Sequence, residues 1–144
     1  MENKSVIERI VNLVIQALQQ MGFFESNPIS VGWHLRWDGQ TLSSRGFRAA
    51  ATAHGNDPVM LLPEDFNLEK DIDVLIHESI HLAQIAKGDF VPGGGDGTAI
   101  WKGKKYHILP SDHERYFEEQ PWEEEAQNLF SDVVKKMNEI SNRT

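Results

Sequence analysis

The stretch His77-Glu78-Ser79-Ile80-His81 places two imidazoles and a carboxylate at a spacing that can do chemistry. Histidines four residues apart lie one above the other on a helical face, so both rings can reach one tetrahedral Zn2+ ion. Glu78 follows the first histidine and points beside such an ion, where it can take a proton from water. With six histidines and thirteen glutamates in 144 residues, chance placement yields this pattern in roughly 2% of sequences. The bland alternative is two helix-surface histidines with Glu78 paired to a lysine.

A catalytic zinc needs a third protein ligand and an open position. The downstream candidates are His107, His113 and the glutamates of PWEEEA, residues 121–126. His107 and His113 fall in the irregular stretch YHILPSDHERYF, where a solvated loop histidine is the better expectation. A helical carboxylate is held more rigidly, and rigidity governs both affinity and the activity of the bound water. On a wheel of about 100° per residue, Glu123 lies roughly 70° from the apolar face, Glu125 roughly 90° on its other side, and Glu124 roughly 170° away. Glu124 therefore points to solvent. Glu123 is favoured over Glu125, because Ala126 lets a neighbouring helix approach and Gln127 can support a metal-bound histidine.

These residues need elements to position them. Val6, Ile7, Ile10, Val11, Val14, Leu18 and Met21 recur at helical spacing and predict an amphipathic packing helix ending near Gly22. ISVGWHLRW, RGFRAAATA and PVMLLP read as short strands of a small, mainly antiparallel sheet, with WDGQ and HGND as turns. Pro58 and Pro63 bound the last run and favour an edge or a strand end. A helix of about four turns carries HESIH, with Ile72, Ile76, Ile80 and Ala83 as its apolar face and Gly88 at its end. Residues 88–98 read as loop, and WKGKKYH as a turn flanked by lysines. A final helix starts at Pro121, a residue suited to the first helical position, and runs to about Ile140.

Composition bounds the rest. A length of 144 residues with 40% hydrophobic content suits one α+β domain spanning residues 1–144. A net charge of -8 and the lack of any Lys/Arg stripe exclude a nucleic-acid surface. No cysteine is present, so a transition metal must be held by histidine and carboxylate. The N-terminus carries Glu8 and Arg9 inside its apolar stretch, unlike a signal peptide or membrane span. The expectation is a cytoplasmic monomer.

HESIH followed by a Glu-x-x-Ala helix resembles the gluzincin zinc metallopeptidases, in which HExxH supplies two ligands and the base and a later helix supplies a glutamate. The order of elements, with GFRAAATA and VMLLP before LIHESIH, is similar to SprT-like and minigluzincin domains. HESIHLAQ, WKGKKY, Tyr116 and PWEEEA together resemble short metallopeptidases of tailed phages and bacteria. The resemblance covers roughly residues 45–130. SprT-like domains use a histidine as third ligand within a longer motif that contains His-Gly and that this sequence lacks, which favours the glutamate. In ImmA-like zincins the ligand is the first glutamate of Glu-x-x-Ala, which corresponds to Glu123.

The resemblance implies a zincin-like fold and a zinc metalloendopeptidase acting on a protein or peptide. Zn2+ would be held by His77, His81 and Glu123, with Glu78 as general base. From their place close before the ligand helix, Tyr116 or His113 is the candidate oxyanion donor, and Tyr106 is equally available. It also implies that Val59 to Leu62 line the cleft as an edge strand and pair with an extended peptide, as the unpaired backbone of a sheet edge allows. The rival reading is a catalytically silent zinc-binding module that docks a protein partner.

Overall fold

A computed structural model of the chain describes residues 4–24, 32–44, 46–55, 57–93, 98–107 and 120–142. The architecture is α+β, with four helices and two small, mostly antiparallel sheets among the described residues. The first helix, α1 (Lys4–Gln20), buries Ile7, Val11, Val14 and Leu18 of the stripe that the helical spacing predicts, together with Ile15 and Ala17. Then β1 (His34–Trp37), a single turn of helix α2 (Thr41–Ser44), β2 (Ala50–His54) and β3 (Asp57–Leu62) build the first sheet.

That sheet has the order β1-β3-β2, with β1 parallel and β2 antiparallel to β3. The Val59–Leu62 run is therefore the central strand, and the edge position expected for it is incorrect. Pro58 is tolerated because no neighbour asks for its missing N–H. The register with β1 begins only at Val59, and across β2 Pro58 stands opposite Ala53. On β2, Ala51 sends its N–H away from the sheet to Glu78, so by antiparallel alternation Ala51 and Ala53 both occupy positions that do not hydrogen-bond to β3. Among the described residues, the edges of this sheet are β1 and β2.

The central helix, α3 (Leu68–Lys87), has well-defined ends. Asn67 caps it through its side-chain oxygen, which accepts from the Lys70 N–H at 3.1 Å. Glu69 and Asp71 lie in the first turn and Lys87 in the last, as the macrodipole favours. At its C-terminus Gly88 adopts φ 90°, a left-handed conformation that closes the helix with Gly88 N–H to Ile85 C=O and Asp89 N–H to Gln84 C=O. Residues 75, 76 and 79–85 are buried and His77 and Glu78 partly so, so this half of the helix is enclosed over most of its surface.

The rest of the chain explains that enclosure. After α3 come β4 (Phe90–Pro92), β5 (Thr98–Trp101) and β6 (Lys104–His107), an antiparallel meander, and then α4 (Pro121–Asn142). Reading 88–98 as loop missed β4, and the lysine-flanked turn is the tip of the β5–β6 hairpin, with Lys102 and Gly103 at φ 49° and 84°. Ile76, Ile80 and Ala83 pack against Val14 and Leu18 of α1 and Ala126, Val133 and Met137 of α4. Leu75 and Leu82 meet Met60 and Leu62 of the first sheet. Ile85 meets Phe90, Ala99, Trp101 and Trp122 on the side of the second sheet. Ile72, expected on the apolar face, is instead exposed near the start of α3. No helix among the described residues is long and apolar enough to cross a membrane.

An ion-pair network ties the start of α3 to the segment before β2. Arg48 donates to both oxygens of Asp71, at 3.3 and 2.9 Å, and to Asp65 at 3.1 Å. Asp71 also accepts from the Asn67 N–H at 2.9 Å. Burial pushes the Asp71 carboxyl up, but the Arg48 guanidinium and the Asn67 N–H outweigh it and hold Asp71 below the usual carboxylate range. Arg48→Ala leaves a buried carboxylate without its cation. Arg48 is about a third exposed (side chain 31%), so the expected loss at pH 7 is about 2 kcal/mol, short of the ~3–5 kcal/mol seen for fully buried pairs. Urea denaturation checks it. Because the folded-state pKa is depressed, this contribution is present above the unfolded value of about 4 and is lost as the pH falls through the lower folded value, so the variant and wild type converge in acid.

Candidate metal centre

His77 and His81 occur one turn apart in the enclosed half of α3, and their rings meet edge to face with centroids 4.8 Å apart. Their Nε2 atoms stand 3.2 Å from each other. His77, Glu78 and His81 form a group able to hold a metal ion, their ligand atoms lying within 4.8 Å of one another. His81 is deeply buried, whereas the His77 side chain retains a quarter of its exposure. The group is thus walled on one side and reachable from the other.

Two carboxylates approach this pair, and they do so differently. Glu123, in the first turn of α4, places Oε2 at 2.9 Å from His77 Nε2 and Oε1 at 2.9 Å from His81 Nε2. Glu78 keeps its Oε2 4.0 Å from His81 Nε2, while its Oε1 accepts from the Ala51 N–H of β2 at 3.1 Å. Glu123 is therefore the closer partner of both rings. The fold brings it there because α4 begins at Pro121, with the Gln120 carbonyl accepting from the N–H groups of Glu123 and Glu124, while Trp122 and Ala126 dock on the core. Glu124 is exposed, as the helical wheel predicts.

The electrostatics follow from burial and proximity. Burial works to raise the Glu123 carboxyl, but hydrogen bonds from the two histidines dominate and hold it down at about 2. It is ionised across the whole neutral range. Burial pushes the Glu78 carboxyl up despite the nearby histidines. Burial also opposes charging of His81, yet the hydrogen bond to Glu123 and the Glu78 charge prevail and raise its pKa.

The donor set can be tested against a metal directly. Zn–N bonds of about 2.0–2.1 Å in a tetrahedron separate adjacent ligand atoms by about 3.3 Å. The two Nε2 atoms at 3.2 Å, and the Glu123 oxygens at 2.9 Å from them, need only a slight outward adjustment to meet that geometry. Two imidazoles and a carboxylate also match the ligand types of a zinc site that keeps one position open.

The support behind His81 is a residue that sequence reasoning missed. Gln84, fully buried, accepts from His81 Nδ1–H at 2.6 Å through Oε1. Its Nε2 donates to the Trp122 carbonyl at 2.9 Å and to Glu125 Oε1 at 3.0 Å. Gln127, expected in this role, is exposed. The signal was available, since Gln84 follows His81 by three residues and shares its helical face. Glu125, the alternative third ligand, turns toward Gln84.

An aromatic wall completes the surroundings. The Phe90 ring lies 5.9 Å from that of His81 and stacks on Trp122 at 4.9 Å, and Tyr106 meets Trp122 edge to face at 5.6 Å. His107 ends β6 as an exposed residue. His113 and Tyr116 lie outside the described residues. Compared with models of protein families, with curated proteins and with solved structures, the chain matches none.

Proposed function

We propose that this protein is a zinc-dependent metallopeptidase of gluzincin type, with the ion held by His77, His81 and Glu123 and with Glu78 as general base. The observation that carries the reading is the bridging of both Nε2 atoms by Glu123, with a second carboxylate held alongside but off the pair. Bound there, zinc would supply Lewis-acid polarisation of a peptide carbonyl and a lowered pKa for water.

The chain's own residues do the remaining work. Glu78 has one oxygen fixed by Ala51 N–H, which leaves the other to accept a proton from the attacking water and to return it to the leaving amine. Its burial raises its proton affinity, which strengthens it as a base. An extended substrate would pair with β2, the edge strand on the Glu78 side among the described residues, in place of the Val59–Leu62 strand. Either Tyr116 or His113 is the proposed oxyanion donor.

One observation favours the rival reading of a silent zinc-binding module that docks a protein. Glu78 already has a structural use, clipping α3 to β2. The deciding experiment incubates zinc-loaded protein with an unfolded protein such as casein. Cleavage that stops with 1,10-phenanthroline and returns with added zinc supports the enzyme; intact casein beside stoichiometric zinc supports the module.

A further inference from the structure

The amide of Gln84 has a fixed orientation, and the orientation has a consequence for the metal centre. Its nitrogen faces the Trp122 carbonyl at 2.9 Å and a carboxylate oxygen of Glu125 at 3.0 Å, and both of those groups accept. The amide oxygen is therefore the end that faces His81 Nδ1 at 2.6 Å. An amide oxygen can only accept, so Nδ1 carries a proton and Nε2 is the atom left for a metal. Both hydrogens of the Gln84 nitrogen are used by α4, the helix that also brings Glu123 to the histidines. One buried side chain thus sets the ring orientation of His81 and the docking of the helix that faces it.

We propose that Gln84, oriented by Trp122 and Glu125, is a positioning residue that presents His81 Nε2 to the metal, and that Glu125 serves the site by holding this amide and does not bind the ion. The inference rests on the metal reading above and assigns roles to two side chains that this reading leaves unused. It explains why two glutamates two residues apart on one helix have different partners. Glu123 faces the imidazole nitrogens on the metal side of the ring, and Glu125 reaches the far side through the amide.

The test compares zinc affinity, by competition with a chelating dye, across variants of the full chain. It also follows the His81 Nδ1–H in nitrogen-proton spectra of the zinc-loaded protein. Gln84→Leu is expected to weaken zinc binding by about 10–100-fold and to broaden the Nδ1–H signal by exposing it to exchange. Gln84→Glu sets two carboxylates against each other and is expected to weaken binding as well. The double variant Gln84→Glu with Glu125→Gln restores a donor opposite an acceptor at position 125 but leaves a carboxylate oxygen against the Trp122 carbonyl, and is expected to recover part of the loss. Glu125→Gln alone keeps an oxygen able to accept from Gln84 and should lose less than about tenfold, whereas Glu123→Gln should lose more than about a hundredfold.

Equal losses for Glu125→Gln and Glu123→Gln would overturn the proposal, as would a double variant no better than Gln84→Glu. This last comparison stays decisive if Gln84→Leu fails to fold. Wild-type protein that binds no zinc overturns the metal reading itself, whereas a Gln84→Leu protein with wild-type affinity overturns only the positioning role.

Discussion

Glu78→Gln is expected to bind zinc within a few-fold of wild type and to hydrolyse peptide bonds about 10²–10⁴-fold more slowly. The reasoning starts from the two oxygens of Glu78. One accepts from Ala51 N–H, and a glutamine oxygen can do the same, so the clip between α3 and β2 survives the substitution. The other must accept a proton from water, and an amide nitrogen cannot. The fold should therefore be nearly as stable as wild type, and the loss should appear in turnover. Titrating zinc and following casein cleavage on the same preparation separates the two effects. If Glu78 were only a structural clip, the glutamine variant would retain whatever activity the wild type has.

Glu123→Ala is expected to weaken zinc binding by more than about a hundredfold, beyond the range of about 10–100-fold typical for loss of an outer supporting partner. Glu123 is the only carboxylate among the described residues within 3 Å of both imidazole Nε2 atoms, and it is ionised throughout the neutral range. Its removal leaves two nitrogen ligands and too few protein donors for a tight site. Glu124→Ala, at an exposed position one residue on, should bind zinc as wild type does. Glu125→Ala should lie between them, because it costs Gln84 one of its acceptors. Metal analysis of the three alanine variants beside wild type gives the order directly.

The parts of this arrangement differ in how readable they are from the sequence. The histidine pair is legible because a four-residue repeat on a helix dictates proximity, and the apolar spacing of α3 with Gly88 at its end marks the helix itself. The separation of Glu123 from Glu124 is legible for the same reason, since it depends only on helical angle. What periodicity cannot supply is the order of strands in space. Pro58 suggests an edge, but its real position depends on where the β1 register starts and on which side of β2 faces β3. The second sheet was hidden because its strands are three or four residues long, too short for alternation to stand out against a glycine-rich stretch. Gln127 stands out in the sequence because it shares a helix with the third-ligand candidates, and Gln84 does not. The amide that orients His81 comes from the helix of the histidine itself.

The most direct test is anomalous diffraction at the zinc absorption edge from crystals of the zinc-loaded protein. A single peak bonded to His77 Nε2, His81 Nε2 and the Glu123 carboxylate, with Glu78 close by but unbonded, is the expected result. A peak elsewhere, or one ligated by Glu78 or Glu125 in place of Glu123, would contradict it.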